Sequence, residues 1–238
     1  MNITIDIGNT RTKIGIFDEA DFNTVMTAEN GHPIDYDAIL DRFDIQKAIV
    51  SSTIDIPTDC IRAIERVPHH LMLTQETRLP FKNLYQSDSL GKDRLALAAS
   101  AAARFPEQDN LIIGCGTCIT FNFINKNNEF LGGSIHPGLK MRLQAMHTFT
   151  GKLPLVPLED ISQLIGNETE TNLLIGALNG AAREIDGMTG EYLVKFPEMN
   201  IIITGGDAEL LVNRLKNKIF AISDCTLIGL NHILNYNA

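Results

Sequence analysis

The sequence predicts an α/β fold of two related lobes, and three observations carry that prediction. Short apolar runs with strand-like alternation are interleaved along the chain with segments of helical period. Two stretches, IDIGNTRTKIGIF (5–17) and IIGCGTCITFNFI (112–124), repeat one pattern of strand, glycine-containing polar turn, threonine and strand. Superposing Gly8 on Gly116 pairs Thr12 with Thr120 and sets Asp6 against Gly114. Finally, 238 residues of 44% hydrophobic and 21% charged composition are enough for one large domain or two small ones with a substantial core.

The elements follow in order. Ile3, Ile5 and Ile7 alternate with Thr4 and Asp6, so residues 2–7 read as a strand. GNTRT (8–12) is a polar turn, and 13–18 returns as a second strand, closing a β-hairpin. Residues 47–51 form a short strand. Ile61, Ile64 and Val67 give 59–67 a helical period that starts at Pro57 and Thr58. The Ala- and Leu-rich stretch 92–104 predicts a helix that ends before Pro106. A second hairpin pairs 111–113 with 119–124. Helical periods return at 138–149 and at the long stretch 172–196. An apolar strand at 200–204 stops at Gly205-Gly206, and a helix is expected over 207–216 with Leu210, Leu211 and Leu215 on one side.

Composition narrows the function. A net charge of −9 with no local Lys/Arg cluster gives no attraction for nucleic acid or an anionic membrane surface. No apolar run approaches membrane-spanning length, and residues 1–7 lack the pattern of a secretory leader, so the chain reads as cytoplasmic. Cys60, Cys115, Cys118 and Cys225 are too few for a disulfide framework. Cys115-Gly-Thr-Cys118 has redox spacing but precedes a strand, whereas a low thiol pKa comes largely from a helix N-terminus. His69, His70, His136 and His147 have no metal-binding spacing and read as surface or structural residues.

The first hairpin turn carries the strongest chemical signal. Gly8 allows close approach to a ligand, successive backbone N–H groups can form an anion-binding concavity, and Asn9, Thr10, Thr12 and Lys13 add donors. Asp6, at the strand's end, is placed to hold Mg²⁺ beside phosphates. A plain polar hairpin would need none of this. No Walker loop or dinucleotide fingerprint competes: Leu139 stands where the Walker lysine should follow Gly133–Gly138, and Gly114-Cys115-Gly116 leads into a strand. Gly91-Lys92-Asp93-Arg94 opens the Ala-rich helix, where Asp93 serves either as a helix-start acid or as a general base beside an anion-gripping Arg94. Gly132-Gly133-Ser134 with Pro137-Gly138, and Thr204-Gly205-Gly206-Asp207, are two more close-approach turns. Four such glycine-rich sites point to a nucleotide-dependent phosphotransferase.

The ordered set DIGNTRTKIG (6–15), LGKDR (90–94), GTCIT (116–120), GGSIHPGL (132–139), TGKLPLV (150–156) and ITGGDAELL (203–211) resembles the type III pantothenate kinases, which include Bvg accessory factor homologues. The resemblance spans nearly the whole chain. It implies two ribonuclease H-like lobes of the actin/Hsp70/sugar-kinase type, here 1–108 and 109–238, with the active site in the cleft between them. It implies ATP-dependent phosphorylation of pantothenate to 4'-phosphopantothenate, the first step of coenzyme A biosynthesis, by a cytoplasmic homodimer.

By position, the resemblance implies that Asp6, Ile7, Gly8, Asn9, Thr10, Arg11, Thr12 and Lys13 bind ATP phosphates, with Asp6 near Mg²⁺, and that Gly116 and Thr117 contact ATP. Gly91, Lys92, Asp93 and Arg94 would hold pantothenate, with Asp93 taking the proton of its primary hydroxyl. Tyr85 and Thr169 are further substrate contacts, Thr171 being the competing choice for the latter. The family also implies a monovalent cation, K⁺ or NH₄⁺, on an aspartate that is Gly114 here, and another family aspartate is Asn122. These two departures support an alternative, a degenerate paralogue of the kinase with a regulatory or binding role. A related kinase acting on another small hydroxy acid is a further possibility.

Overall fold

The computed structural model describes residues 1–238. In chain order its elements are β1 (Asn2–Ile7), β2 (Arg11–Asp18), β3 (Asp21–Glu29), α1 (Tyr36–Arg42), β4 (Lys47–Ser52), α2 (Thr58–Ile64), β5 (His69–Met72), β6 (Lys82–Asn83) and α3 (Lys92–Arg104). There follow β7 (Asn110–Cys115), β8 (Cys118–Ile124), β9 (Glu129–Pro137), α4 (Leu139–Thr148), α5 (Thr169–Lys195), β10 (Asn200–Thr204), α6 (Ala208–Val212), β11 (Phe220–Ala221) and α7 (Cys225–Asn237). The fold class is α/β with two sheets, as the alternation of elements predicts. No helix is long and apolar enough to cross a membrane.

One compact unit comprises residues 1–107, 127–131 and 224–238. Its five-stranded sheet runs β3-β2-β1-β4-β5, with β1 antiparallel to β2 and parallel to β4. Ile3, Ile5 and Ile7 point to one face, where they meet Tyr36, Cys60, Ala63 and Ile64 of α1 and α2. The even residues point to the other. Alternation suggests a polar, wet face there, yet Asn2 and Thr4 are buried. Their cover is α7: Asn2 donates to Asn231 Oδ1 at 2.8 Å and to Asn235 Oδ1 at 3.0 Å. A strand with helices on both faces buries its polar side chains only when they are paired in this way.

Close helix packing fixes α7. A Cβ at Gly229 would collide with the Ala96 carbonyl oxygen of α3, so a glycine on one helix and the Ala-rich stretch of the other let their backbones approach. On the sheet side, Leu227 would be 3.2 Å from a Cβ at Gly15.

The other unit comprises residues 108–126 and 132–223. Its strands run β11-β10-β7-β8-β9, with β7 parallel to β10 and antiparallel to β8. Leu111 and Ile113 of β7, Phe121 and Phe123 of β8, and Ile201 and Ile203 of β10 form a core with Leu178, Ala181, Ala182 and Ile185 of α5. The α5 N-terminus is closed by a capping box between Glu168 and Thr171.

Several expectations need correction. Gly132-Gly133-Ser134 is not a turn but the middle of β9; Gly133 (φ 150°) is required because a Cβ would collide with the Phe121 carbonyl oxygen. The helix expected over 207–216 stops at Val212, where Asn213 and the polar segment after it offer no further apolar turn. The strand β3 and helix α7 had no counterpart in the sequence reading.

Candidate functional site

Asp6 ends β1 on the face opposite Ile7. Its register partner on β2 is Lys13 and on β4 is Ser51. Removal from water, and then the nearby Asp93 carboxylate, push the Asp6 pKa from 3.8 up to about 7, while Lys13 and Ser51 pull it down. Ser51 Oγ is buried beside Asp6, within reach of its carboxylate. Two carboxylates from separate elements thus converge in a partly desolvated place beside one buried hydroxyl. Asp93 comes from the first turn of α3. A Cβ at Gly91 would collide with Asp93 Oδ1, so the glycine leaves that carboxylate its position.

The 8–10 turn between β1 and β2 is closed by Gly8 N–H donating to the Arg11 carbonyl at 3.0 Å. Asn30, which sequence reasoning missed, clamps it from the end of β3. Its side chain donates to the Gly8 carbonyl at 2.8 Å and accepts from the Thr12 hydroxyl at 3.3 Å, and its backbone N–H donates to Thr10 at 2.9 Å. Asn9, Thr10 and Arg11 are exposed, whereas the Ile7 side chain is in the core, leaving only its main chain for a ligand. Lys13 Nζ lies 2.8 Å from Asp224 Oδ1.

Arg94 follows Asp93 but is buried, its guanidinium 5.6 Å from the centre of the Tyr85 ring and 5.9 Å from that of Phe130. Tyr85 and Arg94 therefore belong to one cluster, joined by Phe130, which no local pattern announced. The fold brings Asp6, Lys13, Tyr85, Gly91, Asp93 and Arg94 into the first compact unit.

Gly116 and Thr117 belong to the other unit, at the exposed turn between β7 and β8. Three glycine-rich segments meet there. Gly138 N–H donates to the Thr117 carbonyl at 3.2 Å, and a Cβ at Gly138 would collide with the carbonyls of Gly116 and Thr117. Gly205 (φ 106°) lies against the Cys115 carbonyl, which also accepts from Asp207 N–H at 3.1 Å. Burial, with Asp207 nearby, pushes the Cys115 thiol up to about 12, the opposite of a reactive thiolate, and all four cysteines are free. Thr169 is exposed at the first turn of α5, whereas the Thr171 hydroxyl accepts the capping-box bond from the Glu168 backbone N–H at 3.3 Å and donates to the Glu168 carbonyl at 3.0 Å.

The donor sets decide which ions fit. Asp6 with Asp93 suits a hydrated divalent cation that phosphates help to hold. Gly114 offers no side chain, and its register partners are Thr120 and Thr204, with no carboxylate among them. Asn122 is buried and donates to Thr120 Oγ1 at 3.0 Å and to the Ile112 carbonyl at 3.2 Å, donors that an ionised aspartate lacks. The carboxylate expected to hold the monovalent cation is therefore missing. Asn122 is a buried, hydrogen-bonded residue of β8.

Comparison with known proteins agrees over the full length. A family model described as type III pantothenate kinase matches residues 2–191. Similar proteins of that name include one from Bacteroides fragilis, 40% identical over 100% of this chain and 98% of its own. Another, from Cytophaga hutchinsonii, is 41% identical over 100% of both chains. Among solved structures, a Baf-family protein from Campylobacter jejuni has a TM-score of 0.56 at 23% identity over 99% of this chain and 98% of its own. A ROK-family glucokinase from Streptomyces griseus has a TM-score of 0.54 at 12% identity over 99% and 98%. Nothing among these relatives supports the degenerate alternative.

Proposed function

The chain belongs to the type III pantothenate kinase family, and from that premise we propose how its residues carry out ATP-dependent phosphorylation of pantothenate. The observation that carries the assignment of roles is the convergence of Asp6 and Asp93 at the mouth of a glycine-containing turn. In this reading the backbone N–H groups of residues 8–12, with Lys13, hold the nucleotide phosphates, and Gly116 and Thr117 supply further ATP contacts. Asp6 holds Mg²⁺, which when bound neutralises charge on the phosphates.

Pantothenate lies along Gly91–Arg94. Its carboxylate pairs with Arg94, whose guanidinium the Tyr85 and Phe130 rings keep in one place. Thr169 is the further substrate contact that the resemblance implies, a choice supported by the capping duty of Thr171. Asp93 accepts the proton of the primary hydroxyl as its oxygen attacks the γ-phosphorus in line with the leaving ADP oxygen. Positioning and charge neutralisation supply most of the acceleration. No step uses a monovalent cation, for which residue 114 has no side-chain ligand.

We further propose two lobes divided near 108/109, except that 127–131 and 224–238 pack with the first, together with a cytoplasmic location consistent with four free cysteines, and a homodimer. Phe149, Leu164 and Ile165, which are 85%, 80% and 84% exposed, are apolar side chains that such an interface would cover.

The test is ADP release by purified protein from MgATP, with and without pantothenate, in Na⁺, K⁺ and NH₄⁺ buffers. Pantothenate-dependent turnover of similar size in all three is the expected result. Turnover that ignores pantothenate would overturn the substrate assignment, and a strict K⁺ or NH₄⁺ requirement would overturn the reading of Gly114.

A further inference from the structure

Asp224 breaks two local rules at once. It is the N-cap of α7, where an aspartate ordinarily accepts a hydrogen bond from the first turn of its helix, yet it makes no such bond. Its backbone is left-handed (φ 56°, ψ 26°), a conformation disfavoured for a residue with a Cβ. Three other non-glycine residues share a positive φ. Glu19, Glu107 and Asn128 each lie in a tight turn leading to a strand, whereas Asp224 heads a helix. An outlier of this kind persists where the surroundings over-determine it.

Its carboxylate is occupied elsewhere, with Oδ1 2.8 Å from Lys13 Nζ and a side chain only 15% exposed. Lys13 has a second claimant. In the β1–β2 register it stands directly opposite Asp6, whose pKa it already lowers. A lysine released from Asp224 would settle on Asp6, removing a cation from the turn and a free carboxylate from the site in one movement.

We propose that Asp224 is a positioning residue for nucleotide binding, drawing the Lys13 ammonium away from Asp6 and presenting it to the phosphates held by the 8–12 turn. This rests on the reading of that turn as the ATP-phosphate site. Asp224 itself touches neither substrate nor metal. It acts through Lys13, and the helix that carries it is otherwise a packing element.

The test is calorimetric binding of a non-hydrolysable ATP analogue with Mg²⁺, joined to steady-state kinetics. Asp224→Asn is expected to weaken analogue binding about tenfold and to raise KM for MgATP similarly, with kcat within about threefold, as for a lost ground-state contact. Asp224→Glu should recover most of the affinity. In a Lys13→Met background, Asp224→Asn should add nothing, because the two residues act as one unit. Asp224→Gly relieves the backbone and should keep the melting temperature while binding falls. Unchanged binding in Asp224→Asn, or a full effect persisting in Lys13→Met, would overturn the proposal while leaving the kinase reading intact. Wild-type protein that binds no analogue would overturn both.

Discussion

At the first hairpin turn, between β1 and β2, charge is concentrated: Asp6 and Lys13 face one another, Asp93 and Asp224 come from α3 and α7, and the Asn30 side chain fastens the loop. At the second, between β7 and β8, Gly114 stands where Asp6 does, its register partners Thr120 and Thr204 carry no carboxylate, and Asp207 is the one acid nearby. That loop is fastened by backbone, with Gly138 and Gly205 pressed against the carbonyls of 115–117. The two turns share a sequence pattern and differ in what holds them. One is a charged device secured by side chains, the other a shaped one secured by close approach. A repeat can thus keep its geometry while its two copies divide electrostatics from shape.

The comparison is broken most severely at Asp93. Asp93→Asn should lower kcat about a thousandfold, roughly 4 kcal/mol, while melting temperature and nucleotide binding hold, as expected of a lost general base. Turnover within tenfold of wild type would remove Asp93 from that role. Next comes the shape of the second turn. Gly138→Ala forces a methyl group into two carbonyls and should cost about 3 kcal/mol in urea unfolding. Gly8→Ala meets only the Arg11 carbonyl at 3.3 Å and should cost less than about 1 kcal/mol. Equal costs would erase the distinction between the turns.

The charge of the first turn predicts a pH signature. With a folded pKa of about 7 against 3.8 unfolded, Asp6 keeps its proton longer in the native state, so it lowers stability as pH rises across that window. Without Mg²⁺ or nucleotide, Asp6→Asn should be more stable than wild type at pH 8 by on the order of 2 kcal/mol, the partial exposure of Asp6 screening the rest. Near pH 4 the two should melt alike, and a gap that grows toward acid would refute the assignment. The smallest effect is Cys118→Ser, expected to change stability by less than about 0.5 kcal/mol and turnover not at all. A large loss would revive a thiol role.

Much of this frame was legible. β1, β2, α3 and the second hairpin declared themselves through alternation, Ala-rich periodicity and glycine turns, because each is a local pattern with a local cause. The strand β9 was obscured by Gly132-Gly133, which resemble a turn until Phe121 on the neighbouring strand is seen to require them. α7 has no acid in its first turn and no base in its last, and it carries asparagines that resemble surface residues. Asn231 and Asn235 make sense only beside Asn2, more than 200 residues away. Sequence separation hides the site too: Asn30, Asp93 and Asp224 lie 24, 87 and 218 residues from Asp6. Asp224 before an apolar run was the one available signal for both the helix and its head. Phe130 had none, since its place under Arg94 depends on pairing with Asn83.

Because α7 closes the sheet face that β1 opens, the order of synthesis bears on the protein's early life. Residues 1–107 leave the ribosome with Thr4, Asn2 and the alanine face of α3 uncovered, and they wait on the order of ten seconds at ordinary translation speeds before α7 follows. During that interval the nascent first unit is a natural client for a chaperone, and a message cut short before codon 224 would yield a polypeptide marked for proteolysis by its own unfinished face.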